Sequence, residues 1–312
     1  MPIICYTVSV SEIFISSEEV AKNWGVSERS VRNYCSLGRI PGAVLQGKTW
    51  LIPESAVKPA RQIRHSAKSQ KNKKLLQILR DEKADGLKGG IYHKIQIDLT
   101  YNSNHIEGSR LTHDQTRYIF ETKTIGVTDT SVKIDDILET VNHFRCIDTV
   151  IDSAKSKLSE SFIKRLHFIL KSGTSGSQKN WFKVGDYKLL ENTVGGAETA
   201  KPAEVATKMK SLLSAYNAKE KVALQDILDF HVQFEAIHPF QDGNGRVGRL
   251  IMFRECLKHN IVPFIITEEL KLFYYRGLKE WNNECGFLRD AILSAQDDFA
   301  GVLDYFKIKY ER

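Results

Sequence analysis

Residues 238–249 read His-Pro-Phe-Gln-Asp-Gly-Asn-Gly-Arg-Val-Gly-Arg. Pro239 cannot continue a helix interior, and Gly243 and Gly245 stand just before a run with helical spacing, so the string predicts a loop that feeds a helix N-terminus. Glycines there let bare backbone N–H groups converge on one point. The helix dipole adds positive potential, which suits an anion such as a phosphate. Arg246 and Arg249 are three residues apart and share a helix face, giving two guanidinium groups beside that point. Asp242, set among these cations, has the character of a Mg2+ ligand that shares the ion with phosphates. His238 at the rim has an intrinsic pKa suited to taking a proton near neutral pH. A base, a metal ligand, an anion hole and charge clamps are the parts that phosphoryl-type transfer requires.

Such a loop needs rigid elements on both sides. Within 222–237, Ala223, Ile227, Phe230, Phe234 and Ile237 fall on one stripe, as in a buried helix. Residues 246–258 predict a second apolar helix, with 238–245 as a non-helical insert between the two. Helical spacing recurs over 134–151, 160–170 and 203–216. Residues 184–190 and 193–197 predict a short strand pair turning at Glu191 and Asn192. His231 lies seven residues before His238, but no carboxylate cluster accompanies them, so it is read as a packed residue and not a metal ligand.

The string fits H-P-F-x-D-G-N-G-R-x-G-R, the motif of the Fic family, at every fixed position, and from about Leu75 to its end the chain resembles that family. The resemblance implies a mainly α fold, a Fic-type helical core with a short β-hairpin flap. It implies transfer of AMP from ATP to a Ser, Thr or Tyr hydroxyl of a protein, the chain itself included, with Mg2+ as cofactor. It assigns His238 as the base toward the target hydroxyl and Asp242 as the Mg2+ ligand. The Gly243, Asn244 and Gly245 backbone, with the Asn244 side chain, would cradle the phosphates. Arg246 would contact phosphate, Arg249 would clamp the γ-phosphate, and Phe240 would anchor the loop in the core.

Three further segments resemble Fic neighbours. Gly185-Asp186-Tyr187-Lys188, continuing to Gly195-Gly196 with Pro202 beyond, resembles the flap that receives a target segment by main-chain hydrogen bonds. Tyr187, Lys188 and Leu189 are its expected docking residues, and Lys188 stands where the family usually has Arg. Tyr274-Tyr275-Arg276-Gly277-Leu278 with Asn282 resembles the element lining the adenine pocket, which assigns Tyr275 and Asn282 to the nucleotide. Residues 103–108, Ser-Asn-His-Ile-Glu-Gly, match the inhibitory pattern [ST]-x-x-x-E-[GN]. The resemblance implies that Glu107, with Ser103, holds Arg249 and denies it to the γ-phosphate, from an N-terminal helix of the same chain.

The first quarter is a different material. Residues 1–74 carry 12 Lys/Arg against 5 Asp/Glu, which accounts for the whole formal charge of +7. Ser17 is expected to cap one short helix, Gly25 to break it and Ser27 to cap a second that ends at Gly38. Residues 43–45 and 49–52 predict a two-stranded wing turning at Gly47, and Pro53 is expected to open another short helix. The layout resembles the winged helix-turn-helix of excisionases and MerR regulators. That implies DNA as a partner, with Arg29, Ser30, Arg32, Asn33 and Lys48 toward it. The expected domains are thus 1–59, a basic linker 60–74, and 75–312.

The five cysteines are odd in number, scattered and never in a C-x-x-C pair, against a disulfide framework or a structural zinc site. No apolar run reaches the roughly 18 residues of a membrane span, and no secretory signal is read, so a cytoplasmic location is expected. Expected partners are ATP, a protein bearing a hydroxyl, DNA, and a second copy in a homodimer. Two alternatives stay open: a DNA-binding transcriptional regulator whose Fic domain serves as sensor or dimerisation body, and a Fic enzyme that removes AMP or uses another nucleotide.

Overall fold

The computed structural model describes residues 13–36, 38–47, 49–59, 73–126, 131–194 and 197–310. The chain forms two units, Met1–Ser66 and Ala67–Arg312. Residues 60–72 of the expected linker 60–74, Lys48, and Gly195-Gly196 lie outside the described residues.

In the first unit, β1 (Phe14–Ser16) leads into α1 (Ser17–Trp24) and α2 (Glu28–Ser36), followed by β2 (Val44–Gln46) and β3 (Thr49–Pro53). The cap of α1 is Ser16, not Ser17: Glu19 N–H donates to Ser16 Oγ at 3.2 Å while Ser16 N–H donates to Glu19 Oε2 at 3.0 Å, a reciprocal capping box. Ser17 turns inward and donates to Glu28 instead. Gly25 ends α1 in the left-handed region at φ 63°. The expected strand pair is present, but β1 adds to it, giving an antiparallel sheet in the order β1-β3-β2 with Phe14 opposite Pro53 and Val44 opposite Leu51. Pro53 therefore closes a strand and does not open a helix. Val20, Ala21, Val31, Cys35, Ile40 and Ile52 form this unit's core.

The second unit is helical. Its elements are α3 (Leu75–Ala84), α4 (Ile91–Ile106), α5 (His113–Thr122), α6 (Ile134–Ser153), α7 (Glu160–Lys171), α8 (Pro202–Asn217), α9 (Leu224–Ile237), α10 (Asn244–His259), α11 (Lys271–Glu280) and α12 (Gly286–Tyr305). A small ladder of β4 (Thr193–Val194) and β5 (Ala197–Glu198) lies between α7 and α8. From Arg246 to Leu257, every residue of α10 is buried, and α6, α7 and α9 pack around it. It is the axis of the unit, which explains why its sequence shows no polar stripe. The C-terminal turn of α6 is closed from two directions. Arg80 of α3 donates to Ile151 O and Asp152 O at 2.8–3.1 Å, and the fully buried Arg254 of α10 donates to Ser153 O at 3.1 Å. Cations at a helix C-terminus satisfy carbonyls that have no intrahelical partner. Among the described residues no helix is long and apolar enough to cross a membrane.

Candidate active site

The loop between α9 and α10 hangs on buried contacts. His238 caps α9 in the left-handed region (φ 49°, ψ 63°), which costs a non-glycine residue about 1–2 kcal/mol and so demands support. Phe240 is fully buried and stacks on His167 of α7, with ring centroids 4.0 Å apart and planes 6° apart. Asn244 is buried and closes a ring with Phe240: Phe240 N–H donates to Asn244 Oδ1, and Asn244 Nδ2 donates to Phe240 O, both at 2.8 Å. Its side chain thus helps to fold the loop. Gly243, at φ 83°, turns the chain into α10. The helix therefore begins at Asn244, two residues before the expected start.

His238 is mostly buried. Burial, reinforced by the Lys188 ammonium, brings it down to about 4, so the imidazole is neutral at pH 7 and ready to accept a proton. Its Nδ1 faces Glu235, whose carboxylate Oε2 is 3.7 Å away. Burial pushes Glu235 up to about 8 despite the opposing Arg249, so this contact is not an ion pair at neutral pH.

On the other side of the loop, Asp242 is half exposed and accepts from Lys171 Nζ at 2.6 Å and from Gly243 N–H at 2.6 Å. Burial opposes its ionisation, but Arg246 and Lys171 prevail and hold it at about 2. Buried Arg246 and Lys171 both pair with Glu139 of α6, so one carboxylate binds the two cations that flank Asp242. His167 fixes the same region. Gly185 N–H donates to its Nδ1 at 2.9 Å, so Nε2 carries the proton and donates to Asp242 O at 3.1 Å. Among the described residues no cluster of three or more His, Cys, Asp or Glu could hold a metal by itself. Asp242 offers hard carboxylate oxygen in a cationic hollow, a donor that fits Mg2+ when phosphates complete the shell.

Arg249 is buried and held by one segment of α4. Its Nε donates to Ser103 Oγ at 3.0 Å, and its NH2 donates to Ser103 O at 2.9 Å and to Glu107 Oε1 at 2.7 Å. Glu107 caps the C-terminus of α4. Burial would raise its carboxyl, but Arg249 and Arg246 outweigh it and hold the group below the usual carboxylate range. Gly245 makes the approach possible: a Cβ there would lie 2.3 Å from Glu107 Oε1.

The structure thus gathers His238, Asp242–Gly245, Arg246, Arg249, Ser103 and Glu107 into one place. Tyr275 is exposed at its rim, yet desolvation and Glu107 push its hydroxyl up to about 12, which puts that hydroxyl near the same charges. Its neighbour Tyr274 is buried and bonds His231 Nε2 at 2.6 Å. Asn282 lies exposed in the turn after α11, with no hydrogen bond to the motif among the described residues. Residues 184–190 are not a strand. The N–H groups of Gly185, Lys188 and Leu190 bond His167, Pro239 O and Gln241 Oε1, which leaves no ladder to form, and the short ladder falls later at β4 and β5. Leu189 is exposed and Tyr187 is half-buried against Phe240, but the Lys188 side chain is buried and unavailable to a docking partner. On α2, Arg29, Arg32 and Asn33 are exposed on one face, with Arg32 paired to Glu28 at 2.7 Å, and Ser30 bonds Ser27. Sequence reasoning missed His167, Lys171, Glu139 and Glu235. The i, i+4 pairing of His167 and Lys171 within an apolar helix was the one available signal.

Residues 157–256 match the family model of the Fic/DOC family. Two similar relatives are the protein adenylyltransferases Fic of Drosophila grimshawi and Drosophila mojavensis. Each is 27% identical over 214 residues, covering 66% of this chain and 42% and 40% of the relative. The chain thus spans about two fifths of the length of these curated relatives. A Fic-domain-containing signalling protein from Bacteroides thetaiotaomicron superposes with a TM-score of 0.59 at 23% identity, over 76% of this chain and 98% of that one. Fic-1 from C. elegans (residues 134–508) gives 0.58 at 20%, over 74% and 71%. These superpositions show a shared helical fold.

Proposed function

We propose, from the match of residues 157–256 to the Fic/DOC family model, that this chain transfers AMP from ATP to a hydroxyl of a protein, itself included, and rests in a closed state. The observation that carries the reading is a neutral, buried-edge His238 beside a glycine-lined helix N-terminus bearing two arginines. In the proposed reaction His238 takes the proton of a Ser, Thr or Tyr hydroxyl. That oxygen forms a bond to the α-phosphorus, and the bond from the α-phosphorus to the bridging oxygen breaks, releasing pyrophosphate. The N–H groups at the start of α10 bind phosphate oxygens, and Arg246, fixed by Glu139, keeps the cradle positive. Asp242 would hold Mg2+, which when bound neutralises charge on the triphosphate. Arg249 is the clamp for the γ-phosphate. While it bonds Ser103 and Glu107, that clamp is engaged and a carboxylate faces the incoming anion.

The test is incubation of wild type, Glu107→Gly and Glu107→Gly/His238→Ala proteins with ATP and Mg2+, read by intact mass. Gain of AMP increments in Glu107→Gly, little in wild type and none in the His238 variant is expected. Equal labelling of wild type and Glu107→Gly would overturn the closed state, and labelling that survives loss of His238 would overturn the reaction.

A second reading concerns the first unit. The chain's whole excess charge lies within residues 1–74, and Arg29, Arg32 and Asn33 share an exposed face of α2. Both features favour a duplex DNA partner, contacted through phosphates. The expected result is full-chain binding to duplex DNA that weakens steeply with salt and is lost in Arg29→Glu/Arg32→Glu. No binding at low salt would overturn it.

A further inference from the structure

His238 sits in a backbone conformation that its own side chain does not favour, so something outside α9 must hold it. Three segments meet there, and a single residue touches the backbone on both sides of the histidine. Lys188 N–H donates to Pro239 O at 2.9 Å, and Lys188 Nζ reaches Ile237 O at 3.4 Å. The same ammonium donates to Asn192 Oδ1 at 2.7 Å and Thr199 Oγ1 at 2.6 Å. An ammonium has three protons, and here they meet three acceptors. Asn192 continues the grip, its Nδ2 donating to Phe240 O at 3.2 Å. The Lys188 side chain is almost fully buried, with 2% of the residue exposed.

We propose that Lys188 is a positioning residue for His238, holding the left-handed backbone from both flanks and keeping a positive charge beside the imidazole. The role rests on the reading of His238 as the base, and it differs from target docking, for which the buried side chain is unsuited. The charges facing the imidazole are Lys188, which disfavours its protonation, and Glu107 and Asp242, which favour it; Glu235 lies against its Nδ1. Those facing Lys188 are Glu191, which supports its charge, and Lys208, which opposes it. Burial brings Lys188 down to about 8. An arginine in this place would stay charged throughout the working pH range, whereas this lysine gives up its third proton in mildly alkaline solution. The clamp is therefore titratable.

The experiment follows the His238 imidazole by NMR titration in the full chain, in wild type, Lys188→Met, Lys188→Arg and Thr199→Val proteins. Removing a neighbouring cation must raise the histidine's midpoint. Lys188→Met is expected to move it up, Lys188→Arg to keep it low, and Thr199→Val, which loses one of the three acceptors but leaves the ammonium charged at the pH of that midpoint, to leave it low while bringing the alkaline loss of rate to lower pH. In the Glu107→Gly background, kcat for self-modification should fall roughly tenfold or more in Lys188→Met with KM for ATP unchanged, and Lys188→Arg should restore it. Wild type should lose rate above about pH 8, and the Arg variant should not. An unmoved midpoint in Lys188→Met overturns the proposal. A shifted midpoint in a chain that transfers no AMP leaves the clamp standing and refutes the reaction instead.

Discussion

The Glu107 carboxylate reaches Arg249 at 2.7 Å across the bare face of Gly245, where a methyl group would lie 2.3 Å from the same oxygen. Gly245→Ala is therefore expected to destabilise the protein by about 1–3 kcal/mol in urea unfolding. Much of that loss should vanish when Glu107 is also replaced by Gly, because the clash is chiefly with its carboxylate. A double-mutant cycle in which the two losses simply add would show that the glycine serves something other than this contact.

Glu139 joins two buried cations, Lys171 and Arg246. Glu139→Gln should cost up to about 3–5 kcal/mol, since it removes the buried carboxylate the two cations share and leaves them only the half-exposed Asp242. Lys208→Ala, which breaks an exposed pair with Glu204, should change stability by less than about 1 kcal/mol. Urea midpoints of the two variants, compared at one pH, decide the point. Similar losses would mean the interior network relaxes or takes in water.

His143, His167 and His231 are each lowered from 6.5 to about 3, chiefly by burial. Between those values the unfolded chain binds protons that the fold refuses, so stability rises with pH across the window. It is complete above about pH 7 and is lost as pH falls toward 3. Between pH 7 and 5 each histidine contributes a loss of up to about 2 kcal/mol. Glu235, raised to about 8, works in the opposite sense, favouring the fold as pH falls from 8 toward 4.5. Three groups outweigh one, and urea unfolding at pH 7 and pH 5 should show a clear net loss. An unchanged midpoint would mean that these imidazoles are protonated in place.

Residues 238–249 were legible because a helix-stopping proline, two glycines and two arginines each express a local rule. The helices on either side were legible too, through the apolar stripe of α9. The Asn244 amide also turns back on Phe240, an engagement set by the loop's own closure that no pattern along the chain announces. The strand expected at 184–190 failed for a non-local reason: the N–H groups of Gly185, Lys188 and Leu190 bond residues 18 to 51 positions away. Pattern along the chain cannot reveal partners of that kind. Glu139 and Lys171 were missed likewise, since each looks like an ordinary surface charge on an amphipathic helix until α10 packs against both.

Closure of α6 by Arg80 from one side and Arg254 from the other sets a minimum size for an autonomous folding unit. The stretch 157–256 that matches the family model contains Arg254 but neither α6 nor α3. Cut out alone, it would carry a fully buried arginine with no carbonyls to meet and α10 stripped of one wall. Contacts that far apart in sequence form late and together. The part of the chain that carries the 238–249 motif is therefore smaller than the part that must fold to support it.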